Sequence, residues 1–141
     1  MRILCITSIE GIDGVRKNLE KLGELIVVPN CTLEQLLSQK DQSDILFTNP
    51  NKQTFVIDQR IIDSMPNLKF IVTASTGLNH IDSEYASLKN VEIISLTKEL
   101  QVIEKITSTA EQAFGLMLSI IRNIVVSHRS VVETSVWNYV P

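Results

Sequence analysis

Short runs rich in Ile, Val and Leu alternate with amphipathic segments along most of the chain. The runs lack the strict apolar–polar alternation of a strand with one solvated face, which is typical of parallel strands buried on both faces. This pattern predicts five strands, at residues 3–7, 25–28, 45–48, 68–73 and 91–96. The segments between the strands have helical spacing and predict four helices, at residues 15–22, 33–39, 59–65 and 83–89.

Several predicted helices have recognisable start signals. Thr32 and Gln35 have the spacing of a capping box, and Asp58 and Asp82 are placed as N-cap residues. Regular strand–helix alternation predicts an α/β fold with a doubly wound parallel sheet. Five strands in a chain of this length suit a flavodoxin-like strand order, in which functional loops lie at the carboxyl ends of the strands.

The pattern changes after residue 96. A polar stretch at residues 97–105 predicts a loop or short helix, and a long helix is expected at residues 110–126, with overlapping capping boxes that start at Ser108 and Thr109. Its apolar residues occupy nearly every direction around the helix, so it needs cover on several sides from another domain or another subunit. A core helix of the same domain is the alternative. We therefore predict a domain at 1–96, followed by a linker and interdomain or dimerisation helix at 97–141.

Composition narrows the function classes. The chain has 141 residues, 44% hydrophobic and 21% charged residues, and a net charge of −3, which is typical of a globular domain. No basic stripe is present, so nucleic-acid binding is disfavoured, and the uncharged run at residues 113–121 is too short to span a membrane. The first residues lack the features of a secretory signal, and Cys5 and Cys31 are expected to be reduced thiols; both points predict a cytoplasmic protein.

The turn after the fourth predicted strand is the best candidate for binding chemistry. The apolar run stops at Ser75, Thr76 and Gly77, and small residues at such a point can let successive main-chain N–H groups converge on an anion. An ordinary strand-to-helix turn is the alternative. Gly11 and Gly14 follow the first strand, but the five glycines form no G-x-G-x-x-G fingerprint, so a helix-entry turn is expected there rather than a phosphate site.

Two longer segments carry a family resemblance. LKFIVTASTGLNHID at residues 68–82 and TAEQ at residues 109–112 resemble motifs of the D-isomer-specific 2-hydroxyacid dehydrogenases, of the phosphoglycerate dehydrogenase-like kind; WNYVP at residues 137–141 is a weaker match. The resemblance implies the N-terminal, substrate-binding part of an oxidoreductase that transfers a hydride between NAD or NADP and a small 2-hydroxy or 2-keto acid. It also implies a homodimer and a cofactor domain after residue 141. This chain alone is expected to bind no cofactor and to be inactive.

The resemblance also assigns candidate site residues. Thr76, Gly77 and Leu78 match a main-chain amide clamp on the substrate, Asn49 matches a position that lines the same cleft, and Thr109 matches a residue near the nicotinamide. A turn-forming role for Asn49 and a capping role for Thr109 are equally open. His80 is expected to be a structural loop residue.

No catalytic residue can be assigned within this chain, because the family's general base and its partners lie in the cofactor domain and the segments after it. The spacing of Cys and His residues indicates no metal site. The alternative function is a stand-alone flavodoxin-like module that binds a small acid or regulates another protein, and that dimerises through residues 110–126.

Overall fold

The computed structural model describes residues 1–38, 42–50 and 55–135. The chain forms two compact units, the first at Met1–Leu100 and the second beginning at Gln101. In the first unit strands and helices alternate in the order β1 Arg2–Cys5, α1 Val15–Glu20, β2 Glu24–Val27, α2 Leu33–Ser38, β3 Ile45–Thr48, α3 Gln59–Ser64, β4 Phe70–Thr73, α4 Ser83–Leu88 and β5 Glu92–Ile94. A 3₁₀ turn follows at Leu96–Lys98.

The five strands form one sheet in the order β2-β1-β3-β4-β5, and every pairing is parallel. This is the predicted flavodoxin-like order, in which the direction of strand addition reverses after β2. Because all the strands run the same way, the turns that follow β1, β3 and β4 lie at one edge of the sheet, on three neighbouring strands.

The main core lies on one face of the sheet. Helices α2, α3 and α4 pack together on this face, and α1 with the residues that follow it lines the other face through Leu19 and Leu22. Inward-facing strand residues pack there with α3 and α4, and the largest side chains that are fully buried include Leu4, Leu46, Ile61 and Ile71.

The second face of the sheet is less covered. An apolar groove of about 310 Å³ lies there, lined by Met1, Ile3, Leu19, Leu22, Ile45, Phe47, Phe70, Val72 and Ile94. The expectation that the strands are buried on both faces is therefore wrong for the edge strands: β5 exposes Glu92 and Ile94, and β2 has no buried residue. An edge strand has a neighbour on one side only, which leaves its outer positions in solvent.

Side-chain caps define the helix starts in the first unit. The Thr32 amide donates to Gln35 Oε1 at 3.0 Å, and the Gln35 amide donates to Thr32 Oγ1 at 3.2 Å, which is the reciprocal capping box. Asp58 accepts from the amides of Arg60 and Ile61, and Asp82 accepts from the amide of Tyr85. The three predicted caps are confirmed.

The second unit contains two long helices rather than the single one expected. After the short helix α5 at Leu100–Ile103, α6 spans Ser108–Ile121 and α7 spans Ile124–Thr134. The predicted continuous helix at 110–126 is wrong, because Asn123 adopts the left-handed conformation with φ of 49° and interrupts it. Asn tolerates this region better than most residues.

The start of α6 also differs from the prediction. Its N-cap is Thr107, whose hydroxyl donates to Glu111 Oε1 at 2.6 Å, so Ser108 and Thr109 already belong to the helix and form no capping box.

Apolar side chains on α6 and α7 are exposed. None of the residues of either helix is buried, and Phe114 and Ile120 are 63% and 76% exposed. Within the described part of the chain, no helix combines the length and hydropathy that a membrane span needs.

Candidate functional site

The β4 turn, residues 74–78, leaves the sheet at the carboxyl end of β4. Its two ends are tied to the surrounding structure by main-chain hydrogen bonds: the Leu96 amide donates to the Ser75 carbonyl at 3.1 Å, and the Ile81 amide donates to the Leu78 carbonyl at 2.9 Å. Thr76 and Gly77 are exposed and Leu78 is half-buried. The turn is therefore fixed at both ends and open to solvent in the middle.

The amides in the middle of the β4 turn are free. Across residues 1–38, 42–50 and 55–135, no group accepts a hydrogen bond from the main-chain N–H of Thr76, Gly77 or Leu78. The structure thus leaves available three successive donors that the sequence predicted as an anion clamp. Such donors can bind a carboxylate or keto oxygen without a charged side chain.

Hydrogen bonds between side chains connect this turn to the core. Thr73 Oγ1 lies 3.0 Å from His80 Nε2 and 2.9 Å from Ser75 Oγ, and the Ser75 hydroxyl donates to the Gly77 carbonyl at 2.8 Å. We refer to His80, Thr73 and Ser75 as the relay. Its inner members are buried: Thr73 is 2% and His80 9% exposed.

His80, for which the sequence predicts a structural loop role, is buried next to the end of β4. Burial lowers the pKa of its imidazole, which favours the neutral ring. Its carbonyl accepts from the Ile57 amide at 2.8 Å, and the Ile57 carbonyl accepts from the Asp82 amide at 2.9 Å. These bonds, with the parallel bridge between Ile57 and Ile81, hold the chain returning from the turn against the segment before α3.

The relay was not predicted from the sequence. One signal was available: Thr73 is a polar residue at the end of an otherwise apolar strand, and a buried hydroxyl requires a partner.

The other candidate residues lie in different places. Asn49 directly follows β3 and is half-buried, so it lies on the strand next to β4 at the same edge of the sheet. Thr109 is exposed in the first turn of α6, in the second unit. The weak motif at residues 137–141 lies outside the described residues.

The turn after β1 is a helix entry, as predicted. Gly11 and Gly14 have φ of 82° and 79°, and Gly14 is the N-cap of α1, a helix of only six residues. The adjacent Arg16 is paired with Glu10. A dinucleotide pyrophosphate requires closely spaced glycines at the start of a helix, so these residues do not fit that cofactor.

The described residues offer little other chemistry. They contain no group of three or more His, Cys, Asp or Glu side chains placed to hold a metal ion. Cys5 and Cys31 are free thiols, and burial raises the pKa of both, which makes them poor nucleophiles.

The fold is a doubly wound parallel α/β domain with an exposed turn at the carboxyl end of β4. Residues 4–128 match the family described as D-isomer specific 2-hydroxyacid dehydrogenase, catalytic domain, and the chain belongs to this family.

Individual relatives agree with the family assignment. The chain is 29% identical over 133 residues to a formate dehydrogenase of Pichia angusta, with 89% of this chain and 34% of that protein covered. It is 31% identical over 108 residues to a D-3-phosphoglycerate dehydrogenase of Methanocaldococcus jannaschii, with 77% of this chain and 19% of that protein covered. The chain thus spans about a third or less of these relatives.

A solved structure gives the same result. The NAD-dependent formate dehydrogenase of Staphylococcus aureus, crystallised in complex with NAD, superposes with a TM-score of 0.74 and 27% identity, covering 98% of this chain and 43% of that one.

Proposed function

We propose that this chain is the substrate-binding part of an NAD- or NADP-dependent oxidoreductase that transfers a hydride between the nicotinamide and a small 2-hydroxy or 2-keto acid. The three free amides of the β4 turn carry this proposal. They would bind the carboxylate or keto oxygen of the substrate, with Asn49 on the neighbouring strand as a second polar group at the same edge. The remaining machinery would come from a cofactor domain, because the glycines of this chain do not fit a dinucleotide.

Main-chain donors suit this role for a physical reason. An amide held by the fold is already oriented, so binding an oxygen orders no long side chain. The amides contribute no net charge, and a small acid is recognised by the direction of its oxygens rather than by attraction to a cation. Both ends of the turn are held by main-chain hydrogen bonds, so the three amides between them can bind an oxygen without a rearrangement of the fold.

Replacing Gly77 tests the proposal. In the complete enzyme we expect Gly77→Val to raise KM for the acid by about tenfold or more, the effect of losing one or two hydrogen bonds to a charged group. A Cβ at Gly77 lies 3.1 Å from Asn79 Oδ1, a tight contact that requires the exposed Asn79 side chain to shift, so thermal unfolding of the variant is measured alongside its kinetics. NAD reduction would be measured with formate, D-lactate and D-3-phosphoglycerate, and the affinity for NADH should stay unchanged.

Ala74→Val is the matched control, because Ala74 is exposed in the same turn but lies outside the three amides. It places the same valine side chain at a neighbouring exposed position and should leave KM unaltered. If Gly77→Val and Ala74→Val both behave as the wild type, the β4 turn does not bind the substrate.

We also propose that the exposed apolar surface of α6 mediates homodimerisation. Ile120→Lys should weaken self-association in sedimentation experiments, because a charge would be buried at the contact. Leu88→Lys is the control, since Leu88 on α4 has the same 76% exposure as Ile120. A wild-type protein that remains monomeric at high concentration would refute this role for α6.

A further inference from the structure

We propose that the relay of His80, Thr73 and Ser75 orients the Leu78 amide of the clamp, which makes His80 a positioning residue for the substrate. This inference rests on the proposed function of the β4 turn. It extends that function from the three amides to the side chains of the relay, which do not touch the substrate.

The direction of each hydrogen bond in the relay follows from counting protons. The Gly77 carbonyl can only accept, so the single hydroxyl proton of Ser75 is committed to it. Ser75 must then accept from the Thr73 hydroxyl. Since the Thr73 proton is used in that bond, His80 Nε2 must donate to Thr73 Oγ1. The relay is therefore ordered in one direction, from the imidazole outward to the turn.

The order of these hydrogen bonds also assigns the protonation state and tautomer of the His80 imidazole. A neutral imidazole carries its proton on one nitrogen, and the relay places it on Nε2. The lowered pKa of His80, caused by burial, agrees with a neutral ring that donates through this nitrogen.

The last bond of the relay acts on the clamp through the planarity of the peptide group. The carbonyl of Gly77 and the N–H of Leu78 belong to the same trans peptide, so they point in opposite directions. Because Ser75 holds the carbonyl, the Leu78 N–H is directed away from Ser75 and cannot reverse without breaking the bond. Without this bond, rotation about the torsions next to Gly77 could present the carbonyl in place of the amide, and a carbonyl repels a carboxylate.

The inner members of the relay are anchored in the core, whereas the middle of the β4 turn is open to solvent. Thr73 is the last residue of β4 and is paired in register with Thr48 of β3, and His80 is held through its carbonyl by the Ile57 amide. The outer member Ser75 is half-buried at the base of the turn. Rigid core elements therefore determine the orientation of an exposed peptide.

Four variants of the complete enzyme test the inference, as two matched pairs. Ser75→Ala and His80→Leu each remove a member of the relay, whereas Ser75→Thr keeps the hydroxyl and His80→Gln keeps an N–H donor near the position of Nε2. We expect Ser75→Ala and His80→Leu to raise KM for the best of formate, D-lactate and D-3-phosphoglycerate by about three- to tenfold, the effect of one hydrogen bond. The affinity for NADH and kcat at saturating acid should change little.

The conservative variants distinguish positioning from stability. Ser75→Thr and His80→Gln should restore KM to within about twofold of the wild type, a difference of under half a kcal/mol. Thermal unfolding is measured for all four variants, because a purely structural role would lower the unfolding temperature without a selective rise in KM. That result would overturn the inference. If His80→Leu does not fold, the Ser75 pair decides alone, since Ser75 lies at the surface end of the relay.

Failure of this inference differs from failure of the proposed function. A raised KM in Gly77→Val together with a wild-type KM in Ser75→Ala would keep the clamp and reject the relay. A wild-type KM in Gly77→Val would reject the clamp, and the relay with it.

Discussion

Two turns at the same edge of the sheet, after β1 and after β4, have conformations that are fixed by different means. The turn after β1 follows its path because Gly11 and Gly14 adopt left-handed conformations, and an exposed ion pair between Glu10 and Arg16 lies beside it. In the β4 turn, Gly77 has no left-handed φ, and side-chain hydrogen bonds from the buried end of β4 hold the chain. The first turn is formed by glycine geometry and the second by a connection to the core.

The difference shows that glycine can be favoured in a turn for more than one structural reason. At Gly14 the backbone conformation itself requires glycine. At Gly77 the conformation does not, and the absence of a side chain instead leaves the neighbouring amides accessible. Substitution at the two positions should therefore affect different properties: folding stability at the β1 turn and substrate binding at the β4 turn.

The largest expected effect on stability comes from Gly14→Ala. A Cβ in the left-handed region costs roughly 1–2 kcal/mol, so the free energy of unfolding in urea should fall by about that amount, with KM unchanged. Gly14→Asn should cost less, because Asn tolerates this region. Gly77→Ala should change stability by no more than about 0.5 kcal/mol. Equal losses at Gly14 and Gly77 would contradict the comparison.

A smaller effect is expected at the start of α3. Asp58 caps this helix with its side chain, whereas Gly14 caps α1 with no side-chain bond. Asp58→Ala should lower the free energy of unfolding by about 1 kcal/mol, and Asp58→Asn, which keeps an acceptor, by less.

The effect of Asp58→Ala should depend on pH in a defined direction. The hydrogen bond from Arg60 holds the pKa of the Asp58 carboxyl below its usual range. Because the pKa is lower in the folded state, the ionised carboxyl stabilises the protein at pH values above the unfolded pKa. This stabilisation is lost as the pH falls through the folded pKa. The difference between wild type and Asp58→Ala, measured by urea unfolding, should therefore shrink below about pH 4. A difference that grows on acidification would contradict the assignment.

The sequence was sufficient for those parts of the fold that depend on local pattern. Strand–helix alternation predicted the parallel sheet, and five strands in a chain of this length suited the flavodoxin-like order. Thr32, Asp58 and Asp82 marked helix starts because each cap is formed within three residues. The helix break at Asn123 could not be predicted from the apolar pattern, because one left-handed residue leaves the periodicity on both sides intact.

The candidate site was predictable only in part. Thr76, Gly77 and Leu78 could be recognised from a contiguous motif. The contact of Thr73 with His80 depends on how the chain returns past Ile57. Ile57 is bonded to His80 and Asp82 and pairs with Ile81, 23 to 25 positions further along, and no local spacing encodes this arrangement.

The hydrogen bonds in and beneath the β4 turn also divide the amides of this region into two classes by their rate of exchange with solvent. The amides of Ile57, Ile81 and Asp82 are bonded beneath the turn, so their protons should exchange with solvent only when this region opens. The amides of Thr76, Gly77 and Leu78 have no acceptor among the described residues and should exchange almost as fast as those of an unstructured peptide. A bound acid would slow exchange at these three positions alone. Deuterium uptake at the turn would thus report occupancy directly, without any turnover of substrate.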